Sequence, residues 1–141
     1  MRKQSKQLVI FVRAGVLFVW MEIIFLFSSI PGTGNPYDPS IWYILERKGA
    51  HVFEFALLTV LAFRFFRVWF SSRESWKNII AISMVFVFMY GSLDELHQAF
   101  VFGRGSRLFD VGIDVLGSLV ASCIIWSIFF FRPLKKFKKM L

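Results

Sequence analysis

A single cysteine, two histidines and four prolines are all that the 141 residues hold of those types, and each scarcity excludes something. With Cys123 alone, no intramolecular disulfide can form and no cysteine-rich zinc spacing exists. The residue also lies in an apolar stretch that disfavours a thiolate, which makes it a packing residue. Three of the prolines, Pro31, Pro36 and Pro39, crowd into one segment and leave the rest of the chain unbroken. Acids are few, nine against 17 Lys and Arg. The resulting pI near 10.1 would ordinarily suggest nucleic acid, but the basic residues flank apolar runs and are not interleaved with aromatics, so a nucleic-acid partner is excluded. No internal repeat and no low-complexity tract is present.

What the chain has in abundance is apolar length, with 57% of residues hydrophobic. Runs at Leu8 to Phe27, Gly49 to Phe70, Asn78 to His97 and Leu108 to Phe131 each reach the roughly 20 residues that cross a bilayer. The first run follows a basic start, as in a signal peptide. Its apolar stretch is too long for one, carries Arg13 and Glu22, and lacks a small-residue cleavage site, so it reads as a retained span. The fold expected is an all-α integral membrane protein: one domain over residues 1–141, a bundle of four transmembrane helices. All the basic residues except Arg47, Lys48, Arg104 and Arg107 lie in the N-terminal arm, the hinge between the second and third spans, and the tail. The positive-inside bias makes those segments, and with them both termini, cytoplasmic. All the acids except Glu74 then fall in the outer half. The segment 28–47 is expected as an outer loop, its apolar patch Ile41 to Leu45 resting at the headgroup level on Trp42 and Tyr43 as a connector or a lid.

The polar residues of the spans gather toward that same side. In the second span Lys48, His51 and Glu54 recur every three residues, and Arg47, His51 and Glu54 follow i, i+4, i+7, so ring and carboxylate share one helical stripe. Glu54 lies about 9 Å below Lys48 at helical rise, deep enough that it needs a partner. The third span ends on Asp94, Glu95, His97 and Gln98. Beyond the turn Gly103 to Ser106, Arg107 leads into the fourth span, whose Asp110, Asp114, Gly117 and Ala121 share a face. Gly117 and Ala121 form a small-xxx-small pair that lets a neighbouring helix come close, turning both Asp into the bundle. As structural glue, Arg104 or Arg107 would pair with Asp110, and Lys48 or His51 with Asp94 and Glu95. As a site, His51, Glu54, Asp94 and Glu95 are the candidate catalytic residues, and Lys48, Gln98, Arg104, Arg107, Asp110 and Asp114 the candidate substrate-binding ones. Neighbouring acids cannot all be ionised at once, and a carboxyl that keeps its proton is a general acid. With His51 the same acids could take a divalent metal through oxygen and imidazole ligands, although no specific motif calls for a metal or any other cofactor. No Ser-His-Asp arrangement is visible unless Ser28 or Ser29 joins the group. His97 reads as interfacial, Arg13 and Arg64 as snorkelling cations, and Glu22 as either a pocket contributor or a bundle hydrogen-bonder.

The combination Lys48-x-x-His51-x-x-Glu54-Phe55, then Asp94-Glu95-x-x-Gln98-x-Phe100-x-x-Gly103-Arg104, then Asp110-x-x-x-Asp114-x-x-Gly117 resembles the VanZ-like family. Phe27-Ser28-Ser29-Ile30-Pro31-Gly32 is similar to that family's close of its first span. The resemblance covers about residues 20–121 and departs at Asp114, where the family usually has Asn; an acid there keeps the acceptor and loses the amide donors. It implies a small multi-pass protein of the bacterial cell membrane, in a family whose namesake is associated with resistance to the glycopeptide teicoplanin and whose biochemical activity is not settled. Two functions follow: binding of a cell-envelope amphiphile, such as a lipid-linked precursor, or an intramembrane acid-base or metal-assisted enzyme acting on one. A structural partner of a membrane complex is the third. The bilayer and that amphiphile are the partners expected, and the oligomeric state is left open.

Overall fold

In the computed structural model, residues 3–32, 41–71, 73–104 and 108–131 are described, the side chains of Lys3, Tyr43, Ile44 and Leu108 excepted. They form four helices: α1 (Lys3–Ser28), α2 (Ile41–Trp69), α3 (Trp76–Gln98) and α4 (Leu108–Phe131). No strand occurs among the described residues. Helices are what a chain must form where no water can satisfy backbone N–H and C=O groups.

The local signals for these boundaries are plain at α3. Ser75 caps it in an extended conformation, accepting from the Asn78 amide, while Asn78 Nδ2 donates to Glu74 at 2.9 Å. Its far end runs into a turn in which Gly103 takes a φ of 72°, a left-handed conformation that favours glycine. There the end of α1 docks: the Gly32 amide donates to the Phe102 carbonyl at 3.1 Å, and a side chain on Gly32 would collide with the Gly103 carbonyl. α2 begins at Ile41, one and a half turns before any charged residue after the proline cluster. The patch Ile41 to Leu45, expected as part of a loop, is therefore helix. Once past Pro39 nothing in the sequence breaks a helix, and Gly49 is tolerated within it. The remainder of the expected loop, 33–40, lies outside the described residues.

α2 is the hub. It packs on the other three helices, whereas α1 and α4 do not touch each other. The packing pairs run Lys48 with Asp110, Thr59 with Ser118 and Arg67 with Phe129 along α2 and α4, so these two helices are parallel. α1 runs antiparallel to α2, with Arg13 Nη1 donating to the Arg64 carbonyl at 2.7 Å and Trp20 Nε1 to the Glu54 carbonyl at 3.0 Å. Leu17, Ile24, Phe55, Leu58, Ala62 and Val87 make one buried apolar layer, and Phe63, Ile79, Ile80 and Ile125 a second toward the basic hinge. Below that layer Trp76 stacks on Phe129 and meets Trp126 edge to face, with Lys77 and Arg67 over the Trp126 and Phe129 rings, an arrangement suited to a membrane–water boundary.

The outside is greasier than the inside. Phe11, Phe18, Trp42, Phe53, Phe88, Phe109 and Phe131 are all more than half exposed, while Ser83, Thr59, Ser118, Asp94, Glu95 and Asp114 are buried. In water this would be unstable; in lipid, where apolar side chains gain nothing by hiding, helices associate through small residues and interhelical hydrogen bonds. Among the described residues α1, α3 and α4 are each long and apolar enough to cross a membrane. α2, expected as the second of four spans, is not one of these three; it is as long, and it carries the stripe of Arg47, Lys48, His51 and Glu54, partly exposed at Lys48 and buried at Glu54.

Candidate functional site

Three helix ends meet at one end of the bundle: the beginning of α2, the end of α3 and the beginning of α4. The 3.6-residue period of α2 puts Lys48 and His51 on the side facing α4, and the four-residue spacing of Asp110 and Asp114 matches it. The result is an ion pair and, about one turn deeper, an imidazole–carboxylate pair. Lys48 Nζ lies 2.8 Å from Asp110 Oδ1, with side chains 38% and 24% exposed. Below it His51 Nδ1 lies 3.0 Å from Asp114 Oδ1, with side chains 13% and 2% exposed. The His51 ring stacks on Phe55, 7° from parallel, which holds the imidazole's orientation.

The close approach of α2 and α4 is set by Gly117. A side chain there would overlap the Val52 carbonyl oxygen and press on the Ala56 amide. The opposite wall is α3. Asp114 Oδ2 points at Gly91, 3.0 Å from where a Cβ would sit, and Asp94 and Glu95 follow Gly91 one turn on along the same face. One ligand-type atom each from His51, Glu95 and Asp114 lie within 4.8 Å of one another. Asp94 Oδ2 accepts from Gln98 Nε2 at 2.7 Å. Gln98 Oε1 in turn accepts from Arg104 Nη1 at 3.2 Å and Arg47 Nη2 at 3.4 Å. Glu54 is buried, within electrostatic reach of His51, Asp94 and Arg104.

Nine of the ten expected site residues thus lie around one junction of helices, and Arg107 lies outside the described residues. Among the described residues Asp110 is paired by Lys48, which lies two turns into α2 and faces the first turn of the parallel α4; Arg107, expected with Arg104 as its partner, lies outside them. His51 takes Asp114, one turn deeper. Arg104 reaches the end of α1: Nε donates to the Ile30 carbonyl at 2.8 Å and Nη2 to the Phe27 carbonyl at 2.5 Å, two acceptors where the helix ends. Ser28 and Ser29 do not join the cluster. Both donate to the Phe25 carbonyl, and Ser29 Oγ also bonds His97 Nε2 at 3.0 Å, so His97 seals α1 to α3. Glu22 is exposed on α1.

Phe55, Gly91 and Arg47 were not among the expected site residues. Arg47 was visible in the i, i+4, i+7 stripe. The other two matter through contacts made across helices, which spacing along one helix does not reveal. At the other end of the bundle a groove of about 380 Å³ lies between α1 and α2, lined by Leu8, Val12, Leu61, Arg13 and Arg64. It is separate from this cluster.

Chemically, the cluster descends from a half-exposed ion pair to a buried imidazole–carboxylate pair, with three further carboxylates around it. It can hold a cation or a polar headgroup, or move a proton through His51. Among known proteins, the family model described as VanZ/LLP1 matches residues 11–132. No curated protein and no solved structure matches the chain.

Proposed function

The chain belongs to the VanZ/LLP1 family, and on that footing we propose that it is a multi-pass protein of the bacterial cell membrane that binds the polar head of a cell-envelope amphiphile. In this reading all four helices cross the bilayer, the basic hinge and both termini are cytoplasmic, and the cluster opens to the outer leaflet. The observation that carries it is the gradient from Lys48 and Asp110, half-exposed at 2.8 Å, down to Asp114, buried at the level of the apolar core. An amphiphile lying in the outer leaflet presents its headgroup at that depth, with its chains beside the lipid-facing phenylalanines. Lys48 would turn from Asp110 to a phosphate or carboxylate, and the freed Asp110 would take a hydroxyl or amine. Arg104 and Gln98 would border the site, and Arg107 is placed with them by sequence. A lipid-linked precursor and the acyl-bearing glycopeptide both have this chemistry, which fits the family's association with teicoplanin resistance.

The test is to identify what copurifies. Mass spectrometry of the protein extracted in mild detergent is expected to find an envelope lipid or saccharide that is retained by wild type and lost in K48Q and D110N. Those residues are half-exposed, so the variants keep their fold. Recovery of the same lipids from both variants at wild-type levels would defeat the binding reading.

One observation favours a second reading, an intramembrane enzyme. Asp114 and Phe55 hold the His51 imidazole in a fixed orientation, as a general base requires. Exchanging Glu95 for Gln separates the two. An enzyme using that carboxyl loses turnover, whereas a binder keeps part of its affinity.

A further inference from the structure

We propose that His51, Glu95 and Asp114 form a binding site for one divalent transition cation of the Zn²⁺ or Mn²⁺ class, with one ligand from each of α2, α3 and α4. This goes beyond the amphiphile reading and does not depend on it.

The three donor atoms lie within 4.8 Å of one another. Ligands held to one ion at about 2.0–2.2 Å stand about 3.0–3.5 Å apart. The His51–Asp114 separation of 3.0 Å already meets this, and the Glu95 oxygen, within 4.8 Å of both, would have to draw in by on the order of 1 Å. Independently of that geometry, two buried carboxylate oxygens are left wanting: Asp94 Oδ1 and Asp114 Oδ2 have no hydrogen-bond partner among the described residues, and both residues are at least 95% buried. Asp114 Oδ2 points toward the face of α3 that carries Gly91, Asp94 and Glu95. A buried acceptor without a donor is costly, and a buried anion more so.

The charge balance points the same way. Glu54, Asp94, Glu95 and Asp114 are four buried acids in one cluster, more carboxyls than apolar surroundings hold without cations close by. A dication at the centre would add two positive charges among those acids, and with the Asp114 carboxylate binding through both oxygens it would give the vacant Oδ2 a partner. The surroundings are those of a metal site: Phe55 fixes the imidazole, Gln98 fixes Asp94, and Gly91 leaves room beside Asp114. An imidazole among the ligands selects against Mg²⁺ and Ca²⁺, which prefer all-oxygen shells, and the lack of thiolates selects against Cu⁺. Three protein ligands leave a position open, as in catalytic zinc sites.

Tag-free protein in detergent, stripped with a chelator, is to be titrated with ZnCl₂ and MnCl₂ by calorimetry, with bound metal counted by elemental analysis. One equivalent is expected. H51Q and D114N should weaken it by more than the 10- to about 100-fold that loss of an outer partner costs, while H97Q leaves it unchanged. No saturable binding to wild type, wild-type binding in both H51Q and D114N, or a loss confined to H97Q would each overturn the site. Should the variants not fold, Co²⁺ added to the stripped wild type decides: an absorption band of imidazole–carboxylate ligation supports the site, and the spectrum of the aqua ion refutes it. Amphiphile retention is measured separately, so either proposal can fail alone.

Discussion

Replacing Gly117 by Ala tests the packing on which the whole site depends. The added Cβ would overlap the Val52 carbonyl oxygen and stand 3.1 Å from the Ala56 amide nitrogen and the Val52 carbonyl carbon. All three are backbone atoms, so no side chain can swing aside, and α2 and α4 must separate by on the order of 1 Å to regain ordinary van der Waals distance. That separation would stretch the Thr59–Ser118 bond from 3.0 Å and the His51–Asp114 pair from 3.0 Å to beyond hydrogen-bonding range. Overpacking of this kind costs about 1–3 kcal/mol. A lost interhelical hydrogen bond in a membrane adds about 0.6 kcal/mol, and the better helix propensity of Ala returns at most about 1 kcal/mol. A net loss of about 1–3 kcal/mol is therefore expected. Gly15 supplies the control, since a Cβ there meets nothing within 4 Å, and G15A should be neutral or slightly stabilising. Reversible unfolding of both variants in mixed micelles, followed by circular dichroism, gives the comparison. If G117A is as stable as G15A, the close crossing of α2 and α4 is wrong, and the convergence of His51 with Asp114 goes with it.

R104K is expected to destabilise almost as much as R104A in the same unfolding assay, because a single ammonium cannot serve the Ile30, Phe27 and Gln98 acceptors that three guanidinium nitrogens reach; full retention by the lysine variant would contradict that role. A double-mutant cycle on Lys48 and Asp110 should return a coupling of no more than about 1 kcal/mol, as for other half-exposed pairs, even though both single variants lose the copurifying amphiphile; a much larger coupling would make the pair structural. T59V should cost roughly 0.6 kcal/mol, and under 2, for its bond to Ser118, so a greater loss would mean the α2–α4 seam is more polar than described. In a C123S background, a membrane-impermeant maleimide added to intact cells is expected to label F102C and spare E74C, and the reverse pattern would invert the proposed orientation.

Much of the architecture was open to reading in one dimension. Hydropathy over about 20 residues and the 3.6-residue period depend only on local sequence, and they located four helices, the break at Pro31 to Pro39 and the gathering of His51, Glu54, Asp94, Glu95, Asp110 and Asp114 toward one end. The start of α2 was placed eight residues late, because Arg47, Lys48 and Glu46 end an apolar run without ending a helix.

What the chain by itself determined was therefore which residues are helical and which stripe of each helix is polar. Only the tertiary structure decided who meets whom. It joined Lys48 to Asp110 and His51 to Asp114, sent Arg104 to the end of α1, and drew His97 away to Ser29. The reason is that pairing across helices depends on their separation and relative register, to within an ångström or so. Those are set where Gly117 and Gly91 let backbones and a carboxylate approach, at contacts between positions 23 to 65 residues apart that no periodicity along a single helix encodes.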